Sequence, residues 1–247
     1  ESVARKQRDP AVVVSTAYKD ARVMAHWPLD DLGGETAKPN HGLTHAPLRI
    51  AGKVARYLPG VGSGSGCGEE QALTASPLAS HGGINRAMHL VDGHFETNLA
   101  LPADFTVALW YWLGERSGAS VREGNVVRLP SGQTLTVRQD GNHRSYLSIG
   151  DLASASHQRA DAWNFAVLVQ EKGQIRVYVN GGAEPELETA SAESKPAPIR
   201  FGEGLEGKLD EIALWNRALD AAEQNLLWRN SGMADKRAKQ AAARRRA

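Results

Sequence analysis

Ten residues, Asp104 to Leu113, set the strongest constraint on how this chain can fold. They read DFTVALWYWL. Side chains alternate across a strand, so Phe105, Val107, Leu109 and Tyr111 share one face, and Thr106, Ala108, Trp110 and Trp112 share the other. The β-branched and aromatic content suits a pleated, packed surface. Both faces are largely apolar, so both need cover. Such a strand belongs inside a sheet that has a further layer on each side. A chain of 247 residues can supply those layers, because ~70–75% of the unfolded surface can be buried at this size.

The texture around this strand is also that of short strands. "AMHLVDGHFETN" is a short alternating segment. "NVVRLPSGQTLTVRQD" reads as two strands around a Pro-Ser-Gly turn, and "HRSYLSIGD" as another. Trp163 to Gly182 is the clearest hairpin. Val167 and Val169 precede Lys172-Gly173, and then Ile175, Val177 and Val179 alternate with Gln174, Arg176 and Tyr178. A glycine supplies the positive φ that a tight hairpin turn needs. "IRFGEG" and "GKLDEIALWNRAL" close the series. Helix is expected only near the end, where Asp220 stands three residues before Glu223, a capping-box spacing, and Gly232 marks a stop. Many short strands and one short C-terminal helix predict an all-β fold, a two-sheet antiparallel jelly-roll sandwich. Residues 1–21 read as a lead-in or linker, 22–232 as the domain and 233–247 as a basic tail. Residues 59–83, rich in Gly and Ser, read as a long surface loop.

Charge is unevenly spread. Six basic residues against Asp235 give residues 233–247 a net +5, which leaves −4 on the rest of a chain whose total is +1. Clustered arginines neutralise phosphate. The tail has no interleaved aromatics and no reading module, so no nucleic-acid partner is expected. No run of 18 apolar residues is present, so no membrane-spanning segment is expected. The first residue is Glu1, which reads as a mature chain or a piece of a longer one. The single cysteine, Cys67, allows no internal disulfide and reads as an idle loop thiol.

Candidate chemistry centres on Asp210 and Glu211, side by side in "KLDEIALWNRALDAAE". Glycoside hydrolysis needs two carboxyls facing one bond, ~5–5.5 Å or ~6.5–9.5 Å apart. Neighbours on a strand point to opposite faces, so these two are expected to diverge. The nearby Glu203 and Glu206 do not align with them on one strand face. No nucleophile elbow, phosphate loop or dinucleotide fingerprint is present. His41 and His45 fall in a loop broken by Pro and Gly, and His89 and His94 flank a strand. None has an acidic partner pattern. No catalytic and no cofactor-binding residue is assigned. The six tryptophans, Trp27, Trp110, Trp112, Trp163, Trp215 and Trp228, could stack on sugars if exposed, but core packing is the expectation.

The order of segments resembles the laminin-G-like, concanavalin A-like lectin-type jelly-roll domains of bacterial multidomain proteins. The resemblance is carried by "MAHWPLDD" with the later "NHG", by "HLVDGHFE", "FTVALWYWL" and "WNFAVLVQEKGQIRVYVNGG", and above all by "GKLDEIALWNRALDAAE". It runs from about Arg22 to Gly232. It implies a non-catalytic module that recognises carbohydrate or protein within a longer exported or surface protein, and hence an extracytoplasmic location. The alternatives are a sandwich-fold glycoside hydrolase or polysaccharide lyase, and a structural spacer. Some such domains hold calcium at an edge with oxygens of the early loop. Here Pro39 stands where relatives have an Asp, and Asp30, Asp31, Asn40 and Asp210 are the oxygen donors left for a calcium ion that needs six to eight. The resemblance places Asp210 as an edge carboxylate near the end of "LDD", with Arg217 as a charge partner.

Overall fold

A computed structural model describes residues 22–39, 42–63, 73–79, 83–114, 122–140, 144–160 and 162–245. The strands are β1 (Val23–Trp27), β2 (Thr36–Ala37), β3 (Leu48–Pro59), β4 (Arg86–Thr97), β5 (Phe105–Leu113), β6 (Arg122–Arg128), β7 (Thr134–Gln139), β8 (Arg144–Ile149), β9 (Leu152–Ala153), β10 (Gln158–Arg159), β11 (Asn164–Glu171), β12 (Gln174–Val179), β13 (Leu187–Ala190), β14 (Ile199–Phe201) and β15 (Gly207–Trp215). Two helices follow, α1 (Ala221–Asn230) and α2 (Met233–Arg244). Pairing is antiparallel, and the strands run in the order β10-β8-β7-β6-β14-β4-β15-β5-β11-β12-β13. β1 adds to β15 beside β4, and β3 runs along the other edge of β4.

The two sheets part at β4. Its end at Phe95–Thr97 pairs with β14, while Met88–Leu90 pairs with β15. The β3–β4 ribbon must bend between those points. Gly52 sits there opposite Gly93, with φ +76, and a Cβ on it would come within 2.2 Å of the Asp92 carbonyl oxygen. Only glycine fits that bend.

All nine residues of β5 are buried, as are all nine of β15. The alternation read from the sequence divides β5 between two apolar layers. Phe105, Val107, Leu109 and Tyr111 join the core between the sheets, with Phe95, Leu135, Leu147 and Phe201. Ala108, Trp110 and Trp112 join a second cluster on the outer side, with Trp163, Phe165, Trp215, Leu227, Trp228 and Met233. That outer layer is roofed by the helices. Trp228 of α1 stacks on Trp110 at a 5.3 Å centroid distance. Aromatic pairs in this geometry add ~0.5–1.5 kcal/mol beyond the area they bury.

The hairpin falls where the sequence placed it. Glu171 pairs with Gln174, and the intervening Lys172 and Gly173 both have positive φ, at 50° and 76°. Two positive φ values give the turn a twist that matches the strands. The capping box at α1 is also present. Glu223 N donates to Asp220 Oδ1 at 2.8 Å, and Asp220 N donates to Glu223 Oε2 at 3.0 Å.

Three expectations need correction. A second helix, α2, occupies the basic tail, a stretch whose Ala, Lys and Arg favour helix, so the chain ends on two helices instead of one. Its Met233 is buried, and Arg237 donates to the Trp163 carbonyl at 2.6 Å and to Asn164 Oδ1 at 3.0 Å, with its guanidinium 5.0 Å above the Trp228 ring. This arginine packs the helix onto the body instead of standing in solvent. The 59–83 segment is more than a surface loop, because Val61, Ser63 and Ser76 within it are buried. β3 was not read as a strand at all. Its mixture of charge, glycine and half-buried positions hides the alternation. Cys67, Asn40 and His41 lie outside the described residues.

Candidate functional site

The fold carries two distinct polar regions. The first surrounds Asp210 and Glu211. On β15, Asp210 pairs with Trp110 and Ala213 pairs with Ala108, so Glu211 and Ile212 together oppose one residue of β5. Glu211 is the inserted residue of a β-bulge, with φ 50. The bulge cancels the alternation expected from the sequence. Ala213 belongs to the outer cluster, Asp210 bonds outward to Val61 of the same cluster, and Glu211 reaches His26, whose β1 position is opposite Ala213. The two carboxyls therefore do not diverge to opposite faces.

Asp210 is fully buried and works as an acceptor hub. Its Oδ2 takes the Val61 N–H at 2.9 Å and the Asn85 amide at 2.7 Å, and its Oδ1 takes the Glu211 N–H at 3.0 Å. Gly60 is required beside it, since a Cβ there would lie 2.6 Å from Asp210 Oδ2. Asp210 thus ties the 60–63 segment and the start of β4 to β15. Arg217, the charge partner expected from the sequence, instead binds Glu223, Nη1 to Oε2 at 2.6 Å. The chain turns away after Trp215, and the capping glutamate is the nearer acid.

The nest is acidic. Asp30 sits at its edge and accepts the Arg86 N–H at 3.3 Å, and burial raises its pKa to about 6. Burial pushes Asp210 well above the ordinary carboxylate range. The Glu211 charge adds to that shift, and the Val61 N–H opposes it. Burial, then the Asp30 charge, does the same to Glu211. Burial also drives His26 down to about 3, so its ring is neutral at physiological pH. His26 Nε2 and Glu211 Oε2 are 2.6 Å apart. This contact has the distance of an ion pair, but burial favours the neutral form of both partners. The contact is a buried hydrogen bond between the His26 ring and the Glu211 carboxyl.

The described residues of the nest do not fit calcium. Each Asp210 oxygen already faces N–H donors, and Asp31 Oδ2 accepts the Lys38 N–H at 3.1 Å. Among the described residues, no three His, Cys, Asp or Glu side chains are grouped to hold a metal. The sequence offered no signal for His26 or Asn85, because their partners lie 185 and 125 residues away.

The second region is open. Leu135 and Val137 of β7 point into the core, which leaves Thr134, Thr136 and Arg138 on the solvent face. These three, with Ser131, Gln133 and Thr189, line a groove of about 570 Å3. Its walls are fixed. The Gln133 amide donates to the Ala190 carbonyl at 2.9 Å, and its Oε1 accepts the Ala192 N–H at 2.6 Å. Gly132 N donates to the Leu129 carbonyl at 2.9 Å, which closes the β6–β7 turn. No carboxylate lines the groove. The tryptophans take no part in it, since all six are buried, the most exposed being Trp228 at 7%.

With this geometry in place, comparison with known proteins decides the family. A family model of the concanavalin A-like lectin/glucanases superfamily matches residues 89–223, more than half of the chain. The chain belongs to the concanavalin A-like lectin/glucanase superfamily. No curated protein matches this concanavalin A-like chain. Solved structures with the same fold include Trypanosoma rangeli sialidase, at 15% identity and TM-score 0.56, covering 85% of this chain and 33% of that one. The binding domain of Paraclostridial Mosquitocidal Protein 1 aligns at 12% identity and TM-score 0.55, over 84% of this chain and 52% of that one. The receptor binding domain of botulinum neurotoxin type G aligns at 11% identity and TM-score 0.52, over 84% and 51%. The chain thus spans from a third to about half the length of these structures. At such identity the likeness is one of fold.

Proposed function

We propose that this concanavalin A-like domain is a non-catalytic binding module that recognises carbohydrate on the solvent face of β7, within a longer exported or surface protein. The groove there is the observation that carries the reading. Hydroxyls, an amide and a guanidinium line it, and its walls are held by hydrogen bonds before any ligand arrives. Preorganised walls lower the ordering cost of binding. A sandwich hydrolase would need two carboxyls across this groove, and it has none. The buried acids Asp210 and Glu211 are consumed in holding strands and loops together. The binding domain of the mosquitocidal protein and the receptor binding domain of the neurotoxin, which share the fold, support a recognition role. No described helix is long and apolar enough to cross a membrane.

A glycan array probed with the isolated domain tests this reading. Binding to a subset of neutral glycans, lost in an Arg138→Ala variant, is the expected result. Silence across the array at high protein concentration would overturn the carbohydrate reading and favour a protein partner.

A further inference from the structure

The polar groove does not end at the β6–β7 turn. On the other side of Ser131 lies a second pocket of about 250 Å3, and Ser131 lines both. Leu101, Pro102, Phe105, Leu129 and Pro130 give this second pocket apolar walls, and Ser131, Gln170 and Ser194 place polar groups among them. It opens at the end of the sandwich, between the start of β5 in one sheet and the end of β6 in the other. Its floor, Phe105 and Leu129, belongs to the core. Its rim is braced. The Gln170 amide donates to the Ala103 carbonyl at 2.9 Å, and Lys172 N donates to Asp104 Oδ1 at 2.9 Å. The two compartments therefore adjoin at Ser131, with the Thr134–Thr136–Arg138 row on one side and the pocket over Phe105 and Leu129 on the other.

The hydrogen-bonding state of the polar arm narrows the ligand. Thr136 Oγ1 donates to Asn125 Oδ1 at 3.1 Å, and Thr134 Oγ1 donates to the Gly132 carbonyl at 3.2 Å. Each hydroxyl has spent its one proton, so its lone pairs are what the groove offers. Lone pairs ask for a donor and repel an anion. The one charged residue of the arm, Arg138, faces Glu123 with Nε 3.2 Å from Oε2, so its charge is balanced. Thr134, Thr136 and Arg138 alternate along β7 at roughly 6.6 Å intervals, so the row of contacts runs for about 13 Å. A neutral, hydroxyl-rich chain of more than one ring matches such a row. A polyanion does not.

We infer that the site takes a neutral oligosaccharide carrying a small acyl substituent, with the hydroxyls on the Thr134–Thr136–Arg138 row and the acyl group in the Leu101–Phe105–Leu129 pocket. This inference rests on the carbohydrate reading above and adds the ligand class. Burying the acyl methyl in the apolar pocket gives an affinity gain of about fivefold over the unsubstituted sugar. Charge plays little part, so binding changes little with salt.

The test is calorimetric or NMR titration of the full chain with three probes. They are the tetramer of N-acetylglucosamine, the matching glucose tetramer, which lacks the acetamido group, and a sulfated tetrasaccharide of heparin type. Tighter binding of the acetylated tetramer is expected. Ala103→Leu, which fills the pocket from its exposed rim, brings that tetramer down to the level of the glucose tetramer. Thr136→Val weakens both neutral probes. Equal affinity for the two neutral probes, or a preference for the sulfated one, overturns the acyl-pocket inference and leaves the carbohydrate reading standing. No binding of any probe, together with a silent glycan array, overturns both.

Discussion

The acidic nest and the β7 groove are both polar, yet they are built on opposite logic. In the nest, Asp210 and Glu211 are sealed under the 60–63 segment and every Asp210 oxygen meets an internal donor. In the groove, Thr134 and Thr136 satisfy their own donors and leave acceptors facing outward. The nest holds the acidic pair that a search for catalysis would choose, and it is closed to substrate. The groove holds no acid and is open. A buried polar group is also costly to unpair, whereas an exposed one falls back on water.

That contrast predicts a graded set of responses. Asp210→Ala takes the acceptor from the Val61 and Glu211 N–H groups and leaves the Asn85 amide only its longer bond to the Val61 carbonyl, so it should cost about 3 kcal/mol or more. For a domain of this size that is a drop of about 10 °C in Tm, measurable by thermal or urea unfolding. An unchanged midpoint would break the view of the nest as structural.

Next in size is a pH effect at Asp30. Its folded pKa is raised to about 6, so the folded state holds the proton more tightly than the unfolded chain does. Stability from this group is therefore fully present below about pH 4, falls as pH rises to 6 and is constant above. Asp30→Asn should flatten that limb and raise Tm at pH 7.5 by about 2–4 °C, once partial exposure is discounted. A limb between pH 4 and 6 that matches the unsubstituted chain would assign the slope elsewhere.

Glu211→Gln keeps a hydrogen-bonding side chain beside His26 and removes an ionisable group. It should shift stability at pH 7 by less than about 1 kcal/mol, far less than Asp210→Ala. A loss as large as that of Asp210→Ala would show the pair to be ionic.

Thr136→Val completes the comparison from the groove side. Its effect on stability should stay within about 1 kcal/mol, because the half-buried hydroxyl gives up a single hydrogen bond to Asn125, while affinity for neutral glycan falls about fivefold. If unfolding moved and binding did not, the roles given to the two regions would be reversed.

The legible parts of the fold share one property. β5 shows its two faces within ten residues, the hairpin shows its turn at Lys172-Gly173, and the α1 cap shows itself in Asp220 and Glu223. Each is decided by neighbours a few positions away. β3 was missed because an edge ribbon with Gly52 at its bend lacks a clean alternation. The groove was missed because hydroxyls on the outer face of β7 look like any solvated strand.

From the sequence alone came the fold class, the covered central strand, the terminal cap and the burial of the tryptophans. Tertiary structure alone decided the fate of the carboxylates and the shape of the β7 groove. Asp210 and Glu211 end near each other because β15 takes one residue more than β5 along their shared register, and that mismatch exists only once the strands pair. One of the donors that fix Asp210 is the backbone of Val61, 149 residues away. A backbone N–H carries no signature in the identity of its residue, so only the folded chain could bring it into view.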